Sequence, residues 1–482
     1  MTLENILEAC KGKLLSPCPV PPGKLSLRAV STDTRALRPG DCFVALEGER
    51  FDGHDFIARA VEEGASAVVV RKGRAPAPFP EGVCFVEVAD TLRALGEVAR
   101  YHRRRHRIPL VGITGSNGKT STKEMLASIL GLDRQVLKNR GNFNNLVGVP
   151  LTLLELEDRH GAAVVEMGIN MPGEMERLVE IAEPSVGLVT NIHPAHLERL
   201  GSPRGVLREK GRLWTFLEKR WTEGRFEGEA PLAVVNGDDP LLTEFAGSLS
   251  LPRIVYSVSD AAARARLAGG PSCVEGRTVF QMDLDGARVE VNWALAGMHH
   301  VRNGLAAAAA ALGMGESPET VARGLSVCRP VSQRMEVHRL ENGSRLVDDT
   351  YNANPASVEA AVTALCENDG SRGGRTAVLA DMKELGDQAV ALHRRVGRTV
   401  RRLGVDRLIT LGELGREIGL GALEAGMETG DWLHADSHED IVEALDREWA
   451  PGSRVLVKGS RTMAMERVVR GLLAKRPTEG ES

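Results

Sequence analysis

Apolar residues recur along the chain in short runs. Among them are A-S-A-V-V-V at 65–70, I-P-L-V-G-I at 108–113, A-A-V-V-E-M-G-I at 162–169, V-G-L-V-T-N-I at 186–192, P-L-A-V-V-N-G at 231–237 and R-I-V-Y-S-V at 253–258. Each is too short for a buried helix and rich in β-branched residues, so each predicts a buried strand. Between them the apolar positions shift to helical spacing, as in Phe56, Ile57, Ala60 and Val61, in K-T-S-T-K-E-M-L-A-S-I-L at 119–130, and in the alanine-rich stretch 299–315. Strands alternating with helices predict a mostly parallel sheet covered on both faces. The alternation restarts after about residue 330. S-R-L-V-D-D-T-Y-N, R-T-A-V-L-A-D-M, V-D-R-L-I-T-L-G and S-R-V-L-V-K-G-S read as strands, and 355–368, 388–404 and 465–475 read as helices. This last stretch is a doubly wound unit without an early G-x-G-x-x-G, so nothing in it points to a dinucleotide.

The expected class is therefore α/β with three domains, 1–107, 108–328 and 329–482, which suits a chain of 482 residues. A net charge of −4 with no long block of one sign argues against nucleic acid as a partner. The basic run Y-H-R-R-R-H-R at 101–107 reads as a solvated helix end before a boundary. The seven cysteines are scattered with no C-x-x-C pair, so neither a disulfide framework nor a zinc ribbon is expected, and reduced thiols fit the cytoplasm. The first residues carry Glu4 and Glu8 and lack the basic and apolar parts of a signal peptide. No run reaches the roughly 18 apolar residues of a membrane span.

The sharpest local signal is G-I-T-G-S-N-G-K-T-S at 112–121, which follows an apolar strand and opens a helix. That is the context of a phosphate-binding loop. Thr114, Gly115, Ser116, Asn117 and Gly118 would turn backbone N–H groups toward phosphate oxygens, Lys119 would neutralise β/γ-phosphate charge, and Thr120, followed by Ser121, would offer a hydroxyl to Mg²⁺. Ile113 stands where the strict pattern has its first glycine. The plainer alternative is a glycine-rich turn with a surface lysine.

Further motifs follow in order: N-F-N-N-L-V-G-V-P at 142–150, E-M-G at 166–168, T-N-I-H-P-A-H-L at 190–197, R-E-K-G-R-L at 208–213 and G-M-H-H-V-R-N at 297–303. Together with the phosphate loop they resemble the Mur ligase family across essentially the whole chain. That resemblance implies a small N-terminal α/β unit binding UDP, a central P-loop ATPase-type parallel sheet and a C-terminal Rossmann-like domain receiving the incoming amine. It also implies ATP-dependent ligation of a carboxylate to an amine through an acyl phosphate. S-T-D-T-R at 31–35 and the segment 40–56 resemble the branch that makes later peptide additions. V-D-D-T-Y-N-A-N-P-A-S at 347–357, D-M-K-E-L-G at 381–386 and K-G-S-R-T-M-A-M-E at 458–466 resemble the enzymes that add D-alanyl-D-alanine. Alternatives are the diaminopimelate- or lysine-adding ligases, a folylpolyglutamate synthase, a P-loop kinase or a non-enzymatic nucleotide-sugar binder.

The resemblance also assigns roles. Lys119, Glu166, His196 and Lys210 would form the catalytic group, with Thr120, Glu166, His196 and Lys210 holding two Mg²⁺ ions and Lys210 carbamoylated by CO₂. Alone, His196 reads as an ordinary histidine and Lys210 as a surface charge. His299 and Asn303, four residues apart on one helix face, would meet the adenine, with His300 in the place of the family's usual asparagine. Arg334 and Asp349 would reach ATP from the third domain. Asn142, Asn144, Asn145, Tyr351, Asn352, Asn354, Lys458, Ser460 and Arg461 would face the peptide substrates, UDP-N-acetylmuramoyl-tripeptide and D-alanyl-D-alanine. Ser31, Thr32, Asp33, Arg35, Gly53 and His54 would face the uridine diphosphate. A monomer is expected, and no membrane partner.

Overall fold

The computed structural model describes residues 1–48, 51–226, 230–274, 277–295, 297–367, 373–476 and 478. Glu49 and Arg50 of the 40–56 motif and Asn368 of one expected helix lie outside these residues. Among the described residues the strands form three sheets, one after another along the chain.

The first sheet has the spatial order Lys13–Leu14, Cys84–Val88, Ala67–Arg71, Cys42–Val44, Val30–Ser31, parallel except at its first pair. Thr91–Arg104 packs a helix across it, started by Asp90, whose carboxylate accepts from the Arg93 N–H. The expectation of uniformly free thiols is corrected at one pair: Cys18 and Cys84 are disulfide-bonded. They are 66 residues apart and meet because Cys84 opens a strand that pairs antiparallel with Lys13–Leu14. Such a meeting is a property of strand order and invisible in cysteine spacing. Among the described residues no helix is long and apolar enough to cross a membrane.

The second sheet is the large one. Its parallel part runs Arg253–Ser257, Leu232–Asn236, Val186–Val189, Leu110–Thr114, His160–Glu166, Gln135–Lys138. Ala265–Val274 joins it in parallel and then continues antiparallel through Arg277–Leu284 and Ala287–Trp293. This antiparallel extension is not apparent in the sequence, because its strands alternate polar and apolar residues at an edge instead of forming apolar runs. Met298–Gly313 covers one face, its six alanines fully buried, and the small side chains let the helix lie close to the sheet.

The third sheet has the order Glu336–Arg339, Arg345–Asp348, Arg454–Lys458, Arg375–Ala380, Arg407–Leu411, Trp432–Ala435, parallel after an antiparallel first pair. Helices Pro355–Cys366, Ala389–Arg402, Glu413–Glu424, His438–Glu448 and Glu466–Lys475 connect it. This is the doubly wound unit expected.

The basic run at 101–107 departs from its reading as a solvated end. Arg103 is buried, donating from Nε to the Ala182 carbonyl at 3.1 Å and from Nη2 to the Ile108 carbonyl at 2.9 Å. Arg100 and Arg104 both bond Glu183 of the second unit, at 3.0 and 2.6 Å. The run is a clasp between two units, since long cationic side chains reach further than the helix that carries them.

Candidate active site

Three neighbouring parallel strands of the second sheet, His160–Glu166, Leu110–Thr114 and Val186–Val189, bring their carboxyl ends to one edge. Ligands bind at such an edge in parallel sheets. Leu110–Thr114 runs directly into the phosphate loop, and Lys119 starts the helix Lys119–Leu130.

The loop is held in shape by neighbouring residues. Gly115 and Gly118 have φ of +141° and +80°, and a Cβ on either would collide, with Thr190 Oγ1 and Asn303 Oδ1 respectively. Ser116 N–H donates to the Asn191 carbonyl at 2.9 Å and Asn117 N–H to Asn191 Oδ1 at 3.0 Å. Thr190 Oγ1 donates to the Asn117 carbonyl at 2.6 Å, and His193 N–H to Ser116 Oγ at 2.9 Å. Lys119 Nζ rests on its own loop, 2.9 Å from the Gly115 carbonyl, with burial lowering its pKa.

Thr120 Oγ1 donates to Glu166 Oε2 at 2.7 Å and accepts from Arg334 Nη2 at 2.9 Å. Glu166 is 2% exposed, and its other oxygen accepts from Asn144 Nδ2 at 2.8 Å. The backbone of Glu166 is gripped on both sides by Asn139, whose Oδ1 accepts from the Glu166 N–H and whose Nδ2 donates to the Glu166 carbonyl, both at 2.9 Å. Buried Lys123 closes this arrangement on the Asn139 carbonyl at 2.7 Å. Asn139 and Lys123 are not among the residues expected from the sequence, whereas Thr190 and Asn191 open the 190–197 motif. The first follows an edge strand and the second faces inward one turn after Lys119, and those positions were the available signals.

Lys210 ends the helix Pro203–Lys210 at 1% exposure, and its amine has no hydrogen-bond or ion-pair partner among the described residues. Its pKa lies well below that of an ordinary lysine. Burial is the main cause and Lys119 adds to it, while Glu166 and Glu209 pull the other way. On the far side of the loop the rings of His299 and His300 lie 4.2 Å apart, and all four of their nitrogens are buried with no hydrogen-bond partner among the described residues. Burial pushes His300 down to about 4, so it is neutral near pH 7.

The third domain closes over this edge. Arg334 stacks its guanidinium 4.0 Å from the Tyr351 ring centroid while bonding Thr120. Asn354 caps the helix Pro355–Cys366 and exchanges amide hydrogen bonds with Asn117 of the phosphate loop, at 2.6 and 3.2 Å.

Comparison with known proteins agrees with this arrangement. The family models that match are described as Mur ligase family, catalytic domain, over residues 26–103, Mur ligase middle domain, over 113–311, and Mur ligase, glutamate ligase domain, over 333–461. The UDP-N-acetylmuramoyl-tripeptide–D-alanyl-D-alanine ligases of Bacillus subtilis and Escherichia coli are each 34% identical, with 98% of both chains covered. The chain belongs to the Mur ligase family. Solved structures agree: MurF from Acinetobacter baumannii superposes with a TM-score of 0.85 at 29% identity over 98% of both chains. MurF ligase from Thermotoga maritima in complex with ADP gives 0.81 at 27% identity, over 94% of this chain and 98% of that one.

In this Mur ligase other expected site residues have partners of their own. Asp349 Oδ2 lies 2.5 Å from Lys458 Nζ, which also donates to the Asn352 carbonyl at 2.8 Å. Asn352 accepts from the Ala353 N–H, Ser460 accepts from the Lys383 N–H, and Arg461 pairs with Glu466 at 3.3 Å while standing 6.0 Å from the Tyr351 ring. Of the asparagines at 142–145, Asn144 holds Glu166 and Asn145 accepts from the N–H groups of Val147 and Gly148. Asn142 is exposed, with no side-chain hydrogen bond among the described residues.

In the first domain His54 has no ring nitrogen to spare. Nδ1 lies 2.7 Å from Asp52 and Nε2 accepts from the Arg71 N–H at 3.0 Å. A Cβ on Gly53 would collide with the Leu46 backbone, so Gly53 and His54 shape their loop. Asp33 and Arg35 form an exposed ion pair at 2.7 Å, and Ser31 Oγ accepts from the Asp33 N–H at 3.2 Å, with Thr32 between them at the strand end. Among the described residues none of these side chains hydrogen-bonds the phosphate loop. His196 lies beyond the loop-bracing segment with φ of +53°, and its Nδ1 is 2.6 Å from Glu384 Oε2 of the third domain.

Proposed function

We propose that this ligase joins the terminal carboxylate of UDP-N-acetylmuramoyl-tripeptide to the amine of D-alanyl-D-alanine at the expense of ATP. The observation that carries this reading is the seating of the 347–357 segment on the phosphate loop through Asn354 on Asn117, with Arg334 on Thr120 beside it. A segment resembling that of D-alanyl-D-alanine-adding enzymes thus stands where the γ-phosphate would be handled. The relatives of like length carry the name of that activity.

The chemistry follows from the parts. A carboxylate is a poor electrophile, so its oxygen first attacks the γ-phosphorus of ATP, releasing ADP and forming an acyl phosphate. The amine then attacks the acyl carbon and phosphate leaves. The loop N–H groups and Lys119 take the β/γ-phosphates, and Arg334 adds charge from the other side. The unpartnered nitrogens of His299 and His300 suit a purine edge, which offers both donors and acceptors. The residues present also fit Mg²⁺: Thr120 and Glu166 offer hard oxygens 2.7 Å apart, and a cationic group, Arg334, already rests on that hydroxyl. Such an ion would offset the repulsion between triphosphate and carboxylate. A second ion would be held by His196 and by Lys210 as its carbamate, for which a buried amine with a lowered pKa is the precursor. We place the enzyme in the cytoplasm as a monomer, with uridine diphosphate held by the exposed Ser31–Arg35 turn.

The test is phosphate release from ATP with UDP-muramoyl tripeptide against a panel of amines. D-alanyl-D-alanine should be the amine that sustains turnover. Turnover with diaminopimelate, lysine or glutamate instead would overturn the assignment.

A further inference from the structure

The turn 381–386 is fixed within the third domain and touches the second. Asp381, 2% exposed, accepts from the Gly415 N–H at 2.7 Å, and its carbonyl accepts from the Ser460 N–H at 3.1 Å. Met382 N–H donates to His393 Nε2 at 2.9 Å, and Lys383 N–H to Ser460 Oγ at 2.9 Å. This framework holds Glu384 out toward the second domain. There its carbonyl accepts from the Glu198 N–H at 3.4 Å, and its carboxylate stands 2.6 Å from His196 Nδ1. His196 and Glu384 both have left-handed backbones, with φ of +53° and +64°. Such conformations in residues other than glycine are uncommon and gather at functional sites. An exposed ion pair between flexible side chains contributes little. This pair differs, because both partners are held on constrained backbone and belong to different domains. Among the described residues His196 Nδ1 is buried and meets Glu384 as an ion-pair contact outside hydrogen-bond geometry, and Nε2 makes no hydrogen bond.

We propose that Glu384 is a positioning residue for the ligation: reaching from the third domain, its carboxylate holds the His196 ring by the ion-pair contact at Nδ1 and leaves Nε2 available to an ion only while the two domains are seated together. The inference rests on the reading of His196 as an ion-facing residue. A carboxylate on the distal nitrogen is how proteins orient a ligating histidine, and its loss weakens ion binding by about 10–100-fold. Domain closure and completion of the ion site would then be one event.

The experiment is a Mn²⁺ titration by electron paramagnetic resonance, with a non-hydrolysable ATP analogue and the tripeptide substrate present. It compares the wild type, His196→Ala, Glu384→Ala, Glu384→Gln and the double alanine variant, with thermal unfolding as a check on the fold. His196→Ala and Glu384→Ala should each weaken the second Mn²⁺ by about tenfold. The double variant should be no weaker than His196→Ala, and Glu384→Gln, which keeps an acceptor oxygen, should recover most of the loss. Wild-type binding in Glu384→Ala beside weakened binding in His196→Ala overturns the role of Glu384 and leaves that of His196 standing. Additive losses in the double variant, or no recovery in Glu384→Gln, overturn it as well. Wild-type binding in His196→Ala removes the ion-facing reading and this inference with it.

Discussion

Lys210 is the residue whose environment argues most directly for chemistry. A charged amine at 1% exposure with no partner would carry a desolvation cost of several kcal/mol. Burial lowers its pKa and so favours the neutral amine, the form that adds CO₂. Lys210→Ala should therefore be nearly inactive, and acetate or formate should restore part of the activity by supplying the lost carboxylate, whereas methylamine should not. Rescue by the amine alone would make Lys210 a phosphate-binding cation. The same shift fixes the sign of the pH effect. The amine is free above its lowered pKa, and acid protonates it and blocks CO₂ addition. Activity in buffer stripped of CO₂ should thus fall further at low pH than at pH 8. Lys119, Thr120 and Glu166 were legible from a strand, a glycine-rich turn and a strand-end carboxylate. The burial of Lys210 was not, because R-E-K-G-R is locally as polar as any surface segment.

At the scale of elements, the helix Thr91–Arg104 shows how a charged end can join units. Glu183, at the end of helix Glu174–Ala182, is approached by Arg100, Arg104 and Arg220. Burial raises its pKa, but the hydrogen bonds from Arg104 and Arg100 outweigh that and leave it lowered. A carboxylate lowered on folding contributes stability above its unfolded pKa of about 4.3, and the contribution is lost as pH falls through the folded value. Glu183→Gln should cost about 1 kcal/mol at neutral pH, after allowance for solvent screening. The difference from wild type should shrink below about pH 4. Denaturant unfolding at both pH values measures this, and an equal difference at both would show that the pair contributes nothing electrostatically.

For the whole molecule, the reaction edge is complete only where the third domain meets the second. Polar contacts cross that junction, Arg334 with Thr120, Asn354 with Asn117 and Glu384 with His196, and one buried apolar cluster holds residues of both domains, Leu197 and Leu385 among them. Because the groups that would meet ATP are split between the two domains, relative motion on binding is the expected behaviour. An ATP analogue lying between them would add contacts to both sides. X-ray scattering should show a smaller radius of gyration with ATP analogue and tripeptide substrate than without. An unchanged profile, with binding confirmed by calorimetry, would mean that the domains stay seated throughout the cycle.

What the sequence determined by itself is what depends on neighbours along the chain. Apolar runs separated by helical spacing specify alternating strands and helices, hence parallel sheets, and a glycine-rich turn between strand and helix specifies a phosphate loop. The order of motifs specified the family. Tertiary structure decided which side chains remain free. Asp349 and Lys458, 109 residues apart, meet only in the folded chain, and His54 Nε2 accepts from the Arg71 N–H of a neighbouring strand. Asn139, Thr190 and Asn191 look unremarkable and yet hold Glu166 and the loop in place. Hydrogen-bond satisfaction is a property of atoms brought within about 3 Å. Strand order and domain seating decide those meetings, across separations that no local pattern records.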